Sequence, residues 1–281
     1  MKLILMGTSS WVIPVFDRVA GEHDIAAVFT RAPKPTGRKQ ILTKSPVHIW
    51  AEQRGIPVYT STKDFDNVND NIQSLDAIVV ASYGVILRDN VLNAARLGCI
   101  NIHPSLLPKY RGPAPIVTAV LNGDTQSGVC IMKVTADVDA GDVFMCRPFA
   151  IGENDNNADV EKLVGEMSTD MLSEFLAAPE KYPARPQVGT PTFTRKFTGD
   201  DEIIDWSRSP RVIHNLVRAI GGRTKINGMD VKILETKISA NQLEIIRVKP
   251  AGKKTMPWRD FVNGQRGKIE FGEGINQKDS R

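Results

Sequence analysis

The chain has 281 residues and a mass of 31.0 kDa; 41% of the residues are hydrophobic, 24% are charged, and the formal net charge is +4. This composition excludes disordered, fibrous and collagen-like chains, and it fits one large globular domain or a main domain with a smaller one attached. No apolar run reaches the roughly 18 residues of a membrane span and the start lacks a signal-peptide cleavage region, so we expect a cytoplasmic protein that contacts no membrane.

The first half of the chain alternates between short apolar runs and amphipathic segments. The apolar runs predict strands over 2–6, 25–29, 56–59, 76–81 and 98–102. The amphipathic segments predict helices over 11–19, 47–54 and 88–95. Val- and Ile-rich strands separated by helices are typical of a parallel sheet covered on both faces, so we predict a doubly wound, mainly parallel α/β domain. Ligands of such domains bind beyond the carboxyl ends of the strands.

The second half is organised differently. A predicted helix over 159–176 is followed by a stretch, 177–194, with four prolines and little apolar periodicity. Beyond this stretch, a helix over 212–220 precedes short alternating runs at 231–234 and 243–248 that predict strands. The second half therefore predicts a small, mostly β domain.

The predicted domain boundaries separate regions of different charge. We predict a first domain over 1–188, a linker over 189–202 and a second domain over 203–281. Residues 185–281 contain 19 Lys and Arg against 11 Asp and Glu, whereas the remainder contains 17 against 21. A basic appendage of this kind indicates either a module that binds a polyanion or a solvated basic face.

The cysteines and histidines give no sign of a metal site. Cys99, Cys130 and Cys146 are odd in number, widely spaced and without a CxxC motif. We therefore predict three buried, reduced thiols, with neither a disulfide nor a zinc site. The four histidines have no spacing typical of a ligand pair, so we expect no metal cofactor.

Asn101 and His103 form the first candidate site. Side chains at positions i and i+2 of a strand share a face, so these two point the same way while Ile100 and Ile102 point the opposite way. Prolines that follow end the strand and place the amide and the imidazole at the mouth of the sheet. The pair can be a site for chemistry, or a capping Asn beside a hydrogen-bonded surface His.

Three aspartates form the second candidate site. Asp137, Asp139 and Asp142 lie within six residues, with the flexible Gly141 among them. Such a cluster can bind a cation, supply a general base or form a charged turn. Spacing alone does not choose among the three carboxylates.

These two segments carry a family resemblance. Residues 101–116, NIHPSLLPKYRGPAPI, resemble the signature of the folate-dependent formyltransferases, which transfer a formyl group from 10-formyltetrahydrofolate to an amine. Residues 138–142, VDAGD, resemble the second signature of this family, whose aspartate follows the Asn-x-His motif by 38 residues, as Asp139 follows Asn101. Further stretches are similar to the methionyl-tRNA formyltransferases within this family: 6–8, 34–47, 204–207 and 250–256.

The resemblance implies a function and a catalytic set. It implies formyl transfer to the α-amino group of methionyl initiator tRNA, for translation initiation, by a Rossmann-like domain. It selects Asn101, His103 and Asp139 as catalytic residues. Asn101 and a protonated His103 would donate hydrogen bonds to the oxyanion of the tetrahedral intermediate, and Asp139 would take the proton of the amine. His103 could instead protonate the leaving nitrogen of the folate, with Asp139 holding the imidazole.

The resemblance also implies binding residues. Those implied for the folate are Ser105, Leu106, Leu107 and Pro108, with Ile86 and Leu87 as the apolar wall of the pterin pocket. Those implied for the tRNA lie in a basic loop and are Lys34, Arg38 and Lys39. Without the resemblance, the two leucines at 106 and 107 favour core packing, and the basic loop can be an ordinary solvated one.

The second domain departs from the family pattern. After Thr236-Lys237-Ile238, the family has an additional β segment that this chain lacks, so we predict an abridged OB-like domain. The alternatives with the same Asn/His/Asp set are an amino-sugar nucleotide N-formyltransferase and a glycinamide ribonucleotide enzyme. A catalytically silent tRNA-binding protein and a hydrolase of formylfolate are further alternatives. The basic loop and Lys253-Lys254 favour tRNA as the acceptor, and we expect a monomer.

Overall fold

A computed structural model describes residues 1–37, 40–70, 74–265 and 269–272. The chain forms two compact units. The first contains Met1–Pro115, Ser127–Phe149 and Glu161–Thr194, and the second contains Ile116–Gln126, Ala150–Val160 and Arg195–Arg281. The predicted boundaries of the first domain (1–188), the linker (189–202) and the second domain (203–281) stay predictions. Within the described residues, every helix is too short or too polar to cross a bilayer.

The described residues form fourteen strands and eight α-helices. The strands of the described residues are β1 (Lys2–Gly7), β2 (Asp24–Phe29), β3 (Lys34–Thr36), β4 (Ile41–Thr43), β5 (Val58–Tyr59), β6 (Ala77–Ala81), β7 (Cys99–His103), β8 (Gln126–Lys133), β9 (Val143–Ala150), β10 (Gly222–Ile226), β11 (Met229–Ser239), β12 (Gln242–Pro250), β13 (Met256–Pro257) and β14 (Phe271–Gly272). The helices are α1 (Ile13–Glu22), α2 (Pro46–Gln53), α3 (Phe65–Asp70), α4 (Asp89–Leu92), α5 (Pro115–Asn122), α6 (Asn157–Ala177), α7 (Pro210–Ile220) and α8 (Trp258–Asn263).

A seven-stranded sheet organises the first unit, in the order β5-β2-β1-β6-β7-β8-β9. β1 pairs in parallel with β2 and with β6, β6 pairs in parallel with β7, and β8 runs antiparallel to β7. The chain moves to one side of β1 with β2 and to the other with β6, so the strand order reverses there. Ligand sites of open α/β sheets lie at the carboxyl ends of strands near such a reversal. The predicted doubly wound, mainly parallel sheet is confirmed.

The central strands are apolar because both faces of the sheet are covered. Ile4 and Met6 of β1 point to one face, where they pack in a buried cluster with Phe29 and Phe65. At the end of β1, Gly7 allows α1 to approach the strand. A Cβ at this position would lie 2.7 Å from a ring carbon of Phe16, so any larger residue would displace the buried ring.

One predicted helix is shorter than its apolar pattern. Helix α4 ends at Leu92, so the helix predicted over 88–95 is wrong for residues 93–95. The side-chain amide of Asn93 donates to the backbone carbonyl of Asp89 at 3.0 Å. Asn side chains that bond to nearby backbone groups favour helix ends over helix interiors.

The cysteine prediction is also wrong for two of three thiols. Cys130 of β8 and Cys146 of β9 form a disulfide, because these strands are neighbours in the sheet. The pairing depends on the register of two strands, which the sequence did not reveal. Cys99 is free and buried, and burial raises the pKa of its thiol to about 12.

A five-stranded sheet organises the second unit, in the order β13-β12-β11-β10-β14, and its pairs are antiparallel. Helix α7 begins after Ser209, whose hydroxyl accepts a hydrogen bond from the backbone N–H of Val212, and ends before Gly221 at φ 79°. Its apolar residues Ile213 and Val217 pack with residues of this sheet in one buried cluster. The predicted small, mostly β second domain is confirmed.

A buried histidine of α7 gives the second unit a pH-dependent stability. His214 is 1% exposed. Its Nε2–H donates to the carbonyl oxygen of Glu153 at 3.2 Å, so Nδ1 accepts from the Thr236 hydroxyl at 2.9 Å. Burial lowers the pKa of His214 below its usual value. The folded state therefore binds fewer protons than the unfolded state as the pH falls through about 6.5.

We expect acidification below about pH 6.5 to reduce the free energy of unfolding, with part of the loss due to His214. The decrease in the free energy of unfolding between neutral and mildly acidic pH should be smaller in His214→Gln than in the parent chain. Urea unfolding at both pH values measures this decrease. An equal fall in the two proteins would contradict the assignment.

Candidate active site

Strand β7 positions two polar side chains at its carboxyl end. Asn101 and His103 share one face of the strand, whereas Ile100 and Ile102 on the other face are 0% and 1% exposed. His103 is buried and Asn101 is half-buried. The strand thus holds an amide and an imidazole next to each other.

The carboxylate of Asp139 meets both groups. Asp139 lies on the loop between β8 and β9, with Oδ1 3.5 Å from Asn101 Nδ2 and Oδ2 3.5 Å from His103 Nδ1. The backbone N–H of Gly112 donates to Oδ2 at 2.7 Å. The Asp139 side chain is 18% exposed, so the carboxylate is anchored and still accessible to solvent. Of the three predicted aspartates, the structure brings Asp139 into contact with β7, and Asp137 is exposed.

The backbone of Asp139 is strained. Its φ of 47° lies in the left-handed region, which costs a non-glycine residue about 1–3 kcal/mol. Residues in this region persist where surrounding contacts fix them, and such residues cluster at active sites. With the backbone in this conformation, the carboxylate lies next to Asn101 and His103 of β7.

Hydrogen bonding fixes the tautomer of His103. Nε2 lies 3.0 Å from the carbonyl oxygen of Tyr110, which can only accept, so Nε2 carries a hydrogen and Nδ1 is the atom that titrates. Burial lowers the pKa of His103, the charge of Asp139 and the Tyr110 carbonyl oppose this, and the charge of Arg111 adds to it. The imidazole is therefore neutral at neutral pH, with the lone pair of Nδ1 facing Asp139.

The sequence did not single out two groups in this site. Gly112 and Tyr110 lie on the loop after β7, within the motif of residues 101–116, and they contact the catalytic candidates through backbone atoms. Side-chain patterns carry no signal for backbone contacts. Their position in the motif, close after His103, was the one available indication.

The predicted folate contacts fall into two groups. Ser105 is buried, and its hydroxyl donates to the carbonyl of Lys109, within its own loop. The next three residues are half-buried, the Leu107–Pro108 peptide bond is cis, and the Leu107 N–H lies 3.4 Å from Cys130 Sγ. Leu87 packs in the buried cluster of the first unit, whereas Ile86 is 79% exposed. Ile86 is therefore accessible to a ligand, and Leu87 is a core residue.

The structure describes one of the three predicted tRNA contacts, which lies in the hairpin of β3 and β4. Lys34 is exposed in β3. The other two, Arg38 and Lys39, lie outside the described residues. Ile41 and Leu42 of β4 are 61% and 69% exposed, so the hairpin also presents apolar side chains to solvent.

The arrangement combines a hydrogen-bond donor with a proton acceptor. The Asn101 amide can donate to an oxygen that gains negative charge, and Asp139 with neutral His103 can receive a proton. Among the residues that the structure describes, no group of three or more His, Cys, Asp and Glu side chains is placed to hold a metal ion. These groups, at the carboxyl end of a strand in a doubly wound sheet, are typical of an α/β enzyme that acts on a carbonyl carbon.

Comparison with known proteins identifies the family. The family model described as formyl transferase matches residues 1–176, and the model of the formyl transferase C-terminal domain matches residues 196–244. The chain belongs to the formyl transferase family.

Individual relatives agree with this assignment. The chain is 38% identical to the methionyl-tRNA formyltransferase of Anaplasma phagocytophilum (strain HZ), over 84% of this chain and 81% of the relative. Its fold resembles the methionyl-tRNA formyltransferase from Clostridium thermocellum, with a TM-score of 0.63 and 14% identity over 89% of this chain and 98% of that one. It also resembles an N-formyltransferase from Helicobacter canadensis in complex with folinic acid and dTDP-3-aminofucose, with a TM-score of 0.66 and 19% identity over 85% and 88%. These structural similarities show the fold, and they do not distinguish a tRNA acceptor from a sugar acceptor.

Proposed function

We propose that this enzyme transfers the formyl group of 10-formyltetrahydrofolate to the α-amino group of methionyl initiator tRNA. The observation that carries the proposal is the convergence of Asn101, His103 and Asp139 in a chain that is 38% and 32% identical to two methionyl-tRNA formyltransferases. The basic excess of residues 185–281 supports a polyanionic acceptor.

Asp139 and His103 handle the proton of the attacking amine. The neutral amine forms a bond from nitrogen to the formyl carbon and then loses one proton. Asp139 receives this proton because its carboxylate is accessible and its Oδ2 faces the lone pair of His103 Nδ1 at 3.5 Å. The proton is shared between Oδ2 of Asp139 and Nδ1 of His103. The Nε2 hydrogen of His103 takes no part, because it is donated to the carbonyl oxygen of Tyr110.

Asn101 stabilises the charge that develops on the formyl oxygen. One hydrogen of its amide faces Asp139 at long range, and the other donates to the oxyanion. A single donor of this kind contributes about 2.7–4 kcal/mol to transition-state stabilisation. When the bond from carbon to the folate nitrogen breaks, the shared proton passes to that nitrogen. The amine has then lost one proton and the leaving nitrogen has gained one, so the protein ends as it began.

We propose that the folate contacts the exposed Ile86 and the half-buried loop residues after Ser105. We propose that the tRNA contacts Lys34, Arg38 and Lys39. We expect the first domain to hold the chemistry and the second to add affinity for the tRNA. The expected cytoplasmic location and the monomeric state stay predictions.

The experiment is a transfer assay with labelled formyl. The donor is 10-formyltetrahydrofolate, and the acceptors are methionyl initiator tRNA, an elongator methionyl-tRNA and a 4-amino sugar nucleotide. We expect label on the initiator tRNA in preference to the other two.

Each other outcome overturns a definite part of the proposal. Transfer to the sugar alone would keep the chemistry and replace the acceptor. Release of labelled formate without an acceptor would indicate a hydrolase. Binding of tRNA without any transfer would indicate a catalytically silent protein.

A further inference from the structure

A segment near the end of the first unit, residues 185–194, runs beside the loop that follows β7. The N–H of Arg111 donates to the carbonyl of Thr192 at 2.8 Å, and the N–H of Thr194 donates to the carbonyl of Arg111 at 2.7 Å. At its other end, Arg185 and Val143 exchange backbone hydrogen bonds of 3.0 and 2.8 Å. The backbone of this segment is therefore held at both ends by hydrogen bonds to other residues of the first unit.

One side chain of this segment contacts both the loop that follows β7 and the loop between β8 and β9. The Gln187 amide Nε2 donates to the carbonyl oxygens of Asp139 and Gly141, each at 2.8 Å. Its Oε1 accepts from Nε and Nη2 of Arg111, at 3.1 and 2.7 Å. Both hydrogens and both acceptor positions of the amide are thus used. Arg111 precedes Gly112, whose N–H holds the Asp139 carboxylate.

We propose that Gln187 is a positioning residue that fixes Asp139 opposite Asn101 and His103. The inference deepens the proposed function and rests on it, because the site that Gln187 positions is the proposed catalytic site. Gln187 touches no reacting atom and acts on the backbone of Asp139.

The contacts of Asp139 explain why such support is needed. Its carboxylate lies 3.5 Å from both Asn101 and His103, a distance at which hydrogen bonds are weak. Its backbone is in the left-handed region at φ 47°, which surrounding contacts must stabilise. The bond from Gly112 holds the side chain, and the bonds from Gln187 hold the main chain.

The chemistry of the position favours glutamine. Two carbonyl oxygens require two N–H donors, and the guanidinium of Arg111 requires an acceptor on the same side chain. Glutamate would turn an acceptor toward both carbonyls, and lysine would have no acceptor for Arg111. An uncharged amide of this length satisfies all four contacts.

The activity test compares Gln187→Met with Val188→Ala. Methionine keeps the length of the side chain and removes the donors and the acceptor, while Val188 is the adjacent residue and is 88% exposed. We expect Gln187→Met to lower kcat for formyl transfer about 100-fold, since misplacement of a catalytic group by about 1 Å has this effect. The KM values should stay within about twofold, because substrate contacts are kept, and Val188→Ala should match the parent chain. The proposal would be overturned if Val188→Ala lowered kcat as much as Gln187→Met does. It would also be overturned if Gln187→Met kept kcat within threefold of the parent chain.

A second readout does not depend on turnover. Burial lowers the pKa of His103, the charge of Asp139 and the Tyr110 carbonyl raise it, and the charge of Arg111 lowers it with the weakest effect of the four. If Gln187 holds Asp139 in place, its removal should lower the pKa of His103, measured by NMR titration of the imidazole in the full-length chain without substrate. The signal is assigned by its loss in His103→Gln. An unchanged pKa of His103 in Gln187→Met would overturn the proposal.

The two readouts separate this inference from the proposed function. If the parent chain transfers no formyl group to methionyl-tRNA, the proposed function fails, and the NMR titration still decides whether Gln187 positions Asp139. If the methionine variant does not fold, Gln187→Ala, which adds no bulk, takes its place in both measurements. A purely structural role would lower the melting temperature and leave the pKa of His103 and the kcat of the folded fraction unchanged.

Discussion

Replacing Asp139 by asparagine is expected to lower kcat for formyl transfer about 10³-fold, within the range known for loss of a positioned general base. Asparagine has nearly the same shape, and its amide oxygen can still accept the 2.7 Å hydrogen bond from the Gly112 N–H. It has no negative charge and cannot take the proton of the amine. The fold should therefore survive while the chemistry is lost, and steady-state kinetics with a melting curve measure the two effects.

The chain offers a matched control for this substitution. Asp137 lies on the same loop, and its side chain is exposed to solvent. Asp137→Asn removes the same charge two residues away, and we expect its kcat and its melting temperature to equal those of the parent chain. If Asp139→Asn keeps kcat within tenfold of the parent, Asp139 does not receive the proton. If Asp137→Asn loses as much as Asp139→Asn, the loss reflects the charge of the loop as a whole.

Local periodicity was sufficient for the parallel strands of the first sheet and for one half of the site. β1, β6 and β7 have near-continuous apolar runs because both faces of the sheet are covered, and such runs are visible in the sequence. Alternation along β7 also places Asn101 and His103 on one face, whatever the rest of the fold does. These features depend on neighbours within a few residues.

The other half of the site depends on contacts between distant segments. Spacing could not choose Asp139 from three aspartates, and the choice came from the family resemblance, because its position depends on a loop that returns to β7. Gln187 contacts Arg111 across 76 positions in the chain, and no residue pattern near either indicates it. The disulfide between Cys130 and Cys146 was missed for the same reason, since it depends on strand neighbours. Tertiary contacts of this kind carry no local signal.

A glycine two residues after Asp139 gives the second large effect. Gly141 is buried, and a Cβ at this position would lie 1.9 Å from the carbonyl oxygen of Lys133, a backbone atom of β8. Because a backbone atom of a sheet strand cannot move aside easily, the loop would have to shift away from β8. We expect Gly141→Ala to lower the free energy of unfolding by about 1–3 kcal/mol, as overpacking typically does.

The same shift should also reach the chemistry, because Gln187 binds the carbonyl oxygens of Gly141 and Asp139 together. We expect kcat of the folded Gly141→Ala protein to fall about 100-fold, since a displacement near 1 Å is sufficient for such a loss. Gly21→Ala is the control. Gly21 lies in α1, and apart from its chain neighbours and the backbone of its own helix no atom lies within 4 Å of its Cβ position, so alanine should stabilise the chain by roughly 0.5–1 kcal/mol and leave kcat unchanged. Urea unfolding and steady-state kinetics measure both variants. A Gly141→Ala protein that is destabilised but has the parent kcat would show that close docking of this loop stabilises the fold without positioning Asp139.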